Sequence, residues 1–191
     1  MGKIYTEFDD RLRQFVAAQR MFFVATAPLA TEGHINLSPK GLDSFRILGN
    51  TTVAYLDLSG SGVETIAHVR ENGRLTIMFC AFEGAPRILR LYGRGRAVEP
   101  GETDWNNYRG EFPTYAGIRS VIVMDVERIA DSCGYGVPRY DFSEQRSQLT
   151  DYAERKGEAT MARYRREYNR QSIDGLPGLR GCGEGSASSN A

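Results

Sequence analysis

Residues 75–98 read LTIMFCAFEGAPRILRLYGRGRAV, and the patterning of this stretch decides the fold class. Residues 75–82 form a strongly apolar run short enough for a strand. A turn-like break carrying Gly84 and Pro86 follows, and residues 87–98 then read as a second, longer strand. Gly93 and Gly95 inside that strand mark a bulge or bend. Alternation sends residues 87, 89 and 91 to one face and 88, 90 and 92 to the other, so Arg87 and Arg90 point in opposite directions. One of them can reach a ligand while the other makes a salt bridge or a subunit contact; two solvated strand arginines are the plainer alternative.

The same reading extends in both directions. Residues 21–27 (MFFVATA), 34–38, 45–48 and 51–56 are short strand-like runs separated by Pro28, Gly33, Pro39-Lys40-Gly41 and Gly49-Asn50. Residues 120–129 (SVIVMDVERI) form the last clear strand. Residues 6–19 predict a first helix, with Thr6 as its cap and Asp9 three residues on. Residues 63–71 predict a second helix, closed by Asn72-Gly73. Residues 100–108 are polar and partly helical. Residues 142–169 turn helical and charged, with a break at Gly157 and Tyr152, Met161, Tyr164 and Tyr168 on the inward face. Residues 172–179 (SIDGLPGL) are irregular, and residues 181–191 read as a flexible tail. About six strands joined mostly by turns, without βαβ alternation, favour an antiparallel barrel or sandwich.

Composition narrows the function classes. The 191 residues carry 24 Lys+Arg and 24 Asp+Glu, so the net charge is zero. That argues against a nucleic-acid or anionic-membrane binder, and the Arg-rich residues 163–170 read as a solvated helix face. No apolar run reaches the ~18 residues of a membrane span, and residues 1–12 lack the apolar centre of a signal peptide. Cys80, Cys133 and Cys182 are isolated, which predicts neither a disulfide framework nor a zinc site and suits a cytoplasmic protein. No metal centre is expected. Cys133 reads as inert, His34 as solvated, His68 as the i+4 partner of Glu64, and Trp105 as a packing residue.

Two further segments have the chemistry of a ligand site. Asn36-Leu37-Ser38-Pro39-Lys40-Gly41 ends a strand with a hydroxyl, an ammonium and a glycine-freed backbone, suited to a phosphate or carboxylate. A plain turn with a solvated lysine is its bland alternative. Ser59-Gly60-Ser61-Gly62-Val63-Glu64-Thr65 is a Gly/Ser loop running into a helix start, an arrangement that cradles anions. Glu64 competes with an anion there, and an ordinary capping loop is the alternative.

This layout of SPKG, Gly/Ser loop, short helix ending in NG, apolar strand and R-x-x-R-x-x-G resembles the pyridoxamine 5'-phosphate oxidase-like, FMN-binding split-barrel family over roughly residues 10–130. The resemblance implies a mainly β (α+β) fold: an antiparallel six-stranded split β-barrel over about residues 20–130, peripheral helices, and a helical C-terminal arm over about residues 140–180. It implies one domain over residues 1–180, a homodimer with FMN at the interface, and redox chemistry on a small molecule. Carried over by position, Lys40 matches the phosphate-side lysine, and Asn36 and Ser38 run beside the flavin ring. Ser61, Gly62 and Thr65 occupy the phosphate loop, and Arg87 and Arg90 belong to the R-x-x-R strand. The family's S-R-K loop stands here as Val63-Glu64-Thr65, or as Ser61-Gly62-Val63, so two cations are missing. Its C-terminal W-x-x-R-L-H-D-R segment has no counterpart, which points away from vitamin B6 oxidation and toward the oxidase-related branch. No side chain is singled out as a catalytic acid or base. A non-catalytic flavin or tetrapyrrole carrier, an apo barrel serving as an interaction module, and an F420-dependent reductase are the alternatives on the same fold.

Overall fold

Strand alternation is visible residue by residue in the computed structural model, which describes residues 2–182. In chain order the elements are β1 (Ile4–Tyr5), α1 (Asp10–Ala17), β2 (Phe22–Thr26), β3 (Asn36–Lys40), β4 (Phe45–Ile47), β5 (Thr52–Leu58) and α2 (Glu64–Glu71). They continue with β6 (Arg74–Cys80), β7 (Ile88–Val98), α3 (Trp105–Arg109), β8 (Ile118–Ser132), α4 (Gln148–Lys156), α5 (Glu158–Tyr168) and a 3-10 turn at Arg180–Cys182. Every strand pair is antiparallel, in the order β3-β2-β6-β7-β8-β5-β4, with β1 also paired to β8. The sheet curls into a half-barrel, the split-barrel α+β fold.

Eight strands stand where about six were expected. The three-residue β4 falls within the run read at 45–48, whereas β1 has two residues, too few to leave a periodic signal. The first helix also begins later than its sequence pattern predicts. Asp9, not Thr6, is the cap, because its carboxylate accepts from the Leu12 amide at 2.7 Å. The second helix closes as expected, with Gly73 at φ +72°. The tail from residue 183 lies outside the described residues.

The core fills the concave side of the sheet. Val24, Tyr55, Ile77, Leu89, Leu91 and Ile122 have no exposed surface, and Leu12 of α1 and Ile66 of α2 pack into the same cluster. Each such side chain contributes about 1.5–3 kcal/mol of burial. A second cluster (Ala54, Leu56, Val98, Val121, Val123) lies on the other face of β5 and β8, with Phe112, and Trp105 packs against it. In the helical arm the inward residues are Ala153 and Met161, whereas Tyr152 and Tyr168 are exposed. The tyrosines expected inside sit one helical step too far round, and Tyr164 and Tyr168 instead pack on each other at 4.7 Å.

The bend predicted in the long strand is a bulge between Tyr92 and Gly93 against β8. A Cβ on Gly93 would run into the backbone carbonyl of Asp125, whereas one on Gly95 would meet the flexible end of Leu75 at 2.7 Å. Gly93→Ala is therefore expected to destabilise by more than about 2 kcal/mol, and Gly95→Ala by clearly less. Chemical denaturation of the two variants side by side measures the difference.

Candidate functional site

Register decides which β3 residues face inward. Lys40, Ser38 and Asn36 pair with Phe22, Val24 and Thr26, all buried, so the three polar side chains share the interior face. They line a cavity of about 830 Å³ together with Ser61, Gly62 and Thr65. Two separate sequence segments, the strand ending in Lys40 and the Gly/Ser loop, thus converge on one corner. The irregular stretch 140–146 and Leu149 also line the cavity. This strap is tied down by Tyr140 N donating to Phe82 O (3.0 Å), Phe142 N to Glu83 Oε1 (3.0 Å), and Gln145 Nε2 to Arg20 O (2.8 Å).

Beneath the corner lies an ion cluster that the sequence reading missed. Asp57 is fully buried. Its carboxylate accepts from Arg119 Nε at 2.6 Å, Ser120 Oγ at 3.2 Å and Lys40 Nζ at 3.3 Å. Burial alone pushes a carboxyl's pKa up, but the Arg119 and Lys40 charges outweigh it and hold Asp57 below its ordinary value. Two cations over one carboxylate leave one net positive charge at the cavity base.

Arg119 also shapes the loop. Its Nη1 donates to Gly62 O at 2.8 Å and Gly60 O at 3.4 Å. In a planar trans peptide the N–H opposes the C=O. The amides of Ser61 and Val63 therefore turn away from the guanidinium, and neither finds an acceptor among the described residues. Such free amides at a helix start suit an anion. Glu64 lies across Gly62 and accepts from Ile173 N at 3.3 Å, which sets a like charge beside the same amides.

A buried polar chain runs inward from the cavity. Asn36 Nδ2 donates to Thr65 Oγ1 (3.0 Å) and Thr26 Oγ1 (3.1 Å), and Thr26 shares a 3.0 Å hydrogen bond with His68 Nδ1. His68 is therefore a buried core group, not the surface partner of Glu64 that its spacing suggested. Burial lowers its pKa and favours the neutral ring. The Tyr55 hydroxyl is buried without a partner among the described residues; burial first, then the Asp57 charge, pushes its pKa well up.

Comparison with known proteins places the chain in a family. The family model for pyridoxamine 5'-phosphate oxidase matches residues 8–133. The chain belongs to that family. The pyridoxamine 5'-phosphate oxidase family protein ustO of Aspergillus flavus is 40% identical over 198 aligned residues, covering 94% of this chain and 78% of that protein. Among solved structures, a variant of HupZ from Group A Streptococcus is 22% identical with a TM-score of 0.50, covering 65% of this chain and 98% of that one. An FAD-binding protein from Mesorhizobium loti is 12% identical with a TM-score of 0.48, covering 69% of this chain and 95% of that one.

The family's R-x-x-R strand does not meet this cavity within one chain. Arg87 is held by Asp131 at 2.9 Å and lies 4.9 Å over the Phe15 ring. Arg90 points to the convex face and donates to Ser132 Oγ at 3.2 Å. The opposite orientations follow from strand alternation, and neither brings a guanidinium to the corner. His34 is exposed, as expected, and also pairs with Asp174 at 2.7 Å, which ties residues 172–179 to the β2–β3 loop. Cys133 is exposed and Cys80 buried, both as free thiols. No cluster of potential metal ligands occurs among the described residues.

His68 makes stability depend on pH. Its folded-state pKa lies below the ordinary 6.5, so its contribution is complete above pH 6.5 and is lost as pH falls through the folded value. His68→Gln is expected to flatten the melting temperature between pH 6.5 and 5 relative to the parent, which thermal scans across that range measure.

Proposed function

We propose that this protein binds FMN, with the phosphate in the Lys40–Ser61–Gly62–Thr65 corner, and uses it to oxidise or reduce a small molecule. The observation that carries this reading is the corner itself, where the Lys40 ammonium and the Ser61–Gly62 loop, with its unpaired Ser61 amide, line one cavity in a chain of this family. The cavity volume lies within the range of about 300–1,000 Å³ usual for cofactor sites. Lys40 and the Ser61 amide, with Gly62 and Thr65 beside them, would hold the phosphate, and Asn36 and Ser38 would lie along the ring. Without the S-R-K cations, Arg119 provides positive charge from behind the loop while Lys40 provides it in front. When bound, flavin supplies the electron chemistry, and the protein binds, orients and excludes water. The strap 140–146 serves that last role. Lys40 and Arg119 are both engaged with Asp57, so neither is assigned as a catalytic acid or base.

The convex face of the sheet supports a homodimer. Phe23, Met78, Ile88 and Tyr92 stand on it beside the exposed Leu37, and register places Arg90 between Met78 and Ala130. A second copy seated there would cover this apolar surface and bring Arg90 to a neighbour's site. No helix among the described residues is long and apolar enough to cross a membrane, and the free thiols of Cys80 and Cys133 fit a reducing cytoplasm.

Three outcomes test the reading. Lys40→Ala is expected to weaken FMN binding about tenfold or more in a fluorescence titration, and Glu64→Gln to strengthen it by removing a like charge. Met78→Glu is expected to shift the protein from dimer to monomer by light scattering. The mass of the co-purifying molecule separates FMN from F420, and its reduction and reoxidation with candidate donors and acceptors separate catalysis from carriage.

A further inference from the structure

The C-terminal arm reaches the anion corner from a direction the family motif does not include. Asn169, the C-cap of α5, has no exposed surface. Its Oδ1 accepts from Arg119 Nη1 at 3.0 Å, and its Nδ2 donates to Gly60 O at 2.9 Å. The neighbouring turn of α5 adds Arg165, which donates to Ser59 Oγ at 3.2 Å. Asn169 is itself fixed by backbone bonds on both sides: its amide donates to Arg165 O at 2.8 Å, and its carbonyl accepts from Leu179 N at 2.9 Å. Gly178 allows that return, because a Cβ there would strike the Asn169 carbonyl and stand 2.9 Å from Val63 Cγ1.

The Gly60 carbonyl therefore has two donors, Asn169 and Arg119, both on the side away from the free Ser61 amide. Arg119 alone has one short bond to the loop, at Gly62, and a long one to Gly60. Asn169 supplies the short bond that fixes the Gly60–Ser61 peptide plane, and it also orients the guanidinium. We propose that Asn169 is a positioning residue for the phosphate end of the cofactor, which makes the arm part of the binding site. The inference rests on the reading of this corner as the flavin phosphate site. A group that only stabilised the fold would affect all ligands of the cavity alike. One that aims loop amides affects only the ligand that carries the anion.

The test compares FMN with riboflavin, which has the ring and lacks the phosphate, in fluorescence titrations of the full chain and of Asn169→Leu. The expected result is an FMN Kd about tenfold higher in the variant, the scale of one buried charge-assisted hydrogen bond, with riboflavin unchanged. An unchanged FMN Kd, or equal losses for both ligands, overturns the proposal. If Asn169→Leu does not fold, Asn169→Ala is read by the same ratio. If the unmodified protein binds neither flavin, the flavin reading fails on its own, and inorganic phosphate titrated by calorimetry becomes the probe. Weaker phosphate binding in the variant then upholds the positioning role; equal binding, or none to the unmodified protein, overturns it.

Discussion

A carboxylate sealed from water beneath two cations organises this molecule. Asp57 sits on β5 in a run that is otherwise apolar, and taking its charge out of water is expensive. It stays ionised because Arg119 comes from the adjacent β8 and Lys40 from the far edge strand β3. Three elements that are remote in sequence are thereby held in one geometry. Arg119, with its remaining hydrogens, also holds the Gly60–Gly62 loop and the side chain of Asn169. Removing either cation would leave a buried charge under-compensated, so the cluster constrains the ends of three strands, a loop and the arm together.

Much of the barrel was legible in the sequence because strand alternation and turn chemistry are local. The apolar run 75–82, the glycine-marked bulge at Gly93 and the closure of α2 at Gly73 all have causes within a few residues of their effects. The convergence of Lys40 with the Ser61 loop was legible only through family resemblance, since no local pattern joins them. The partners of Asp57 lie 17 and 62 residues away, and nothing in the spacing announces them. One signal was present: an aspartate inside TVAYLDL has no place on a buried strand unless it is paired. His68 was misjudged for a related reason. The i, i+4 rule places it near Glu64 on the helix surface, but tertiary packing turned that face toward Thr26 and the core.

Sheet register links the cavity and the convex face of the sheet. Along β3 the polar residues Asn36, Ser38 and Lys40 alternate with Leu37 and Pro39, so the cavity and the convex face are written on the same five residues. A slip of one position would exchange them, carrying Lys40 outward and leaving Asp57 without its second cation. The ion pair and the apolar pattern specify the same register, which makes the pairing of this edge strand well determined.

Pro39 adds a consequence of its own. β3 is the outermost strand, bonded to β2 on one side only, and such a border invites another chain to add on as a further ribbon. A proline midway along it has no amide hydrogen to offer, so any continuous ladder built outward from this border has a missing rung. Edgewise templating, the route to fibrous growth, is thereby discouraged at the side of the molecule that carries the cavity-lining lysine.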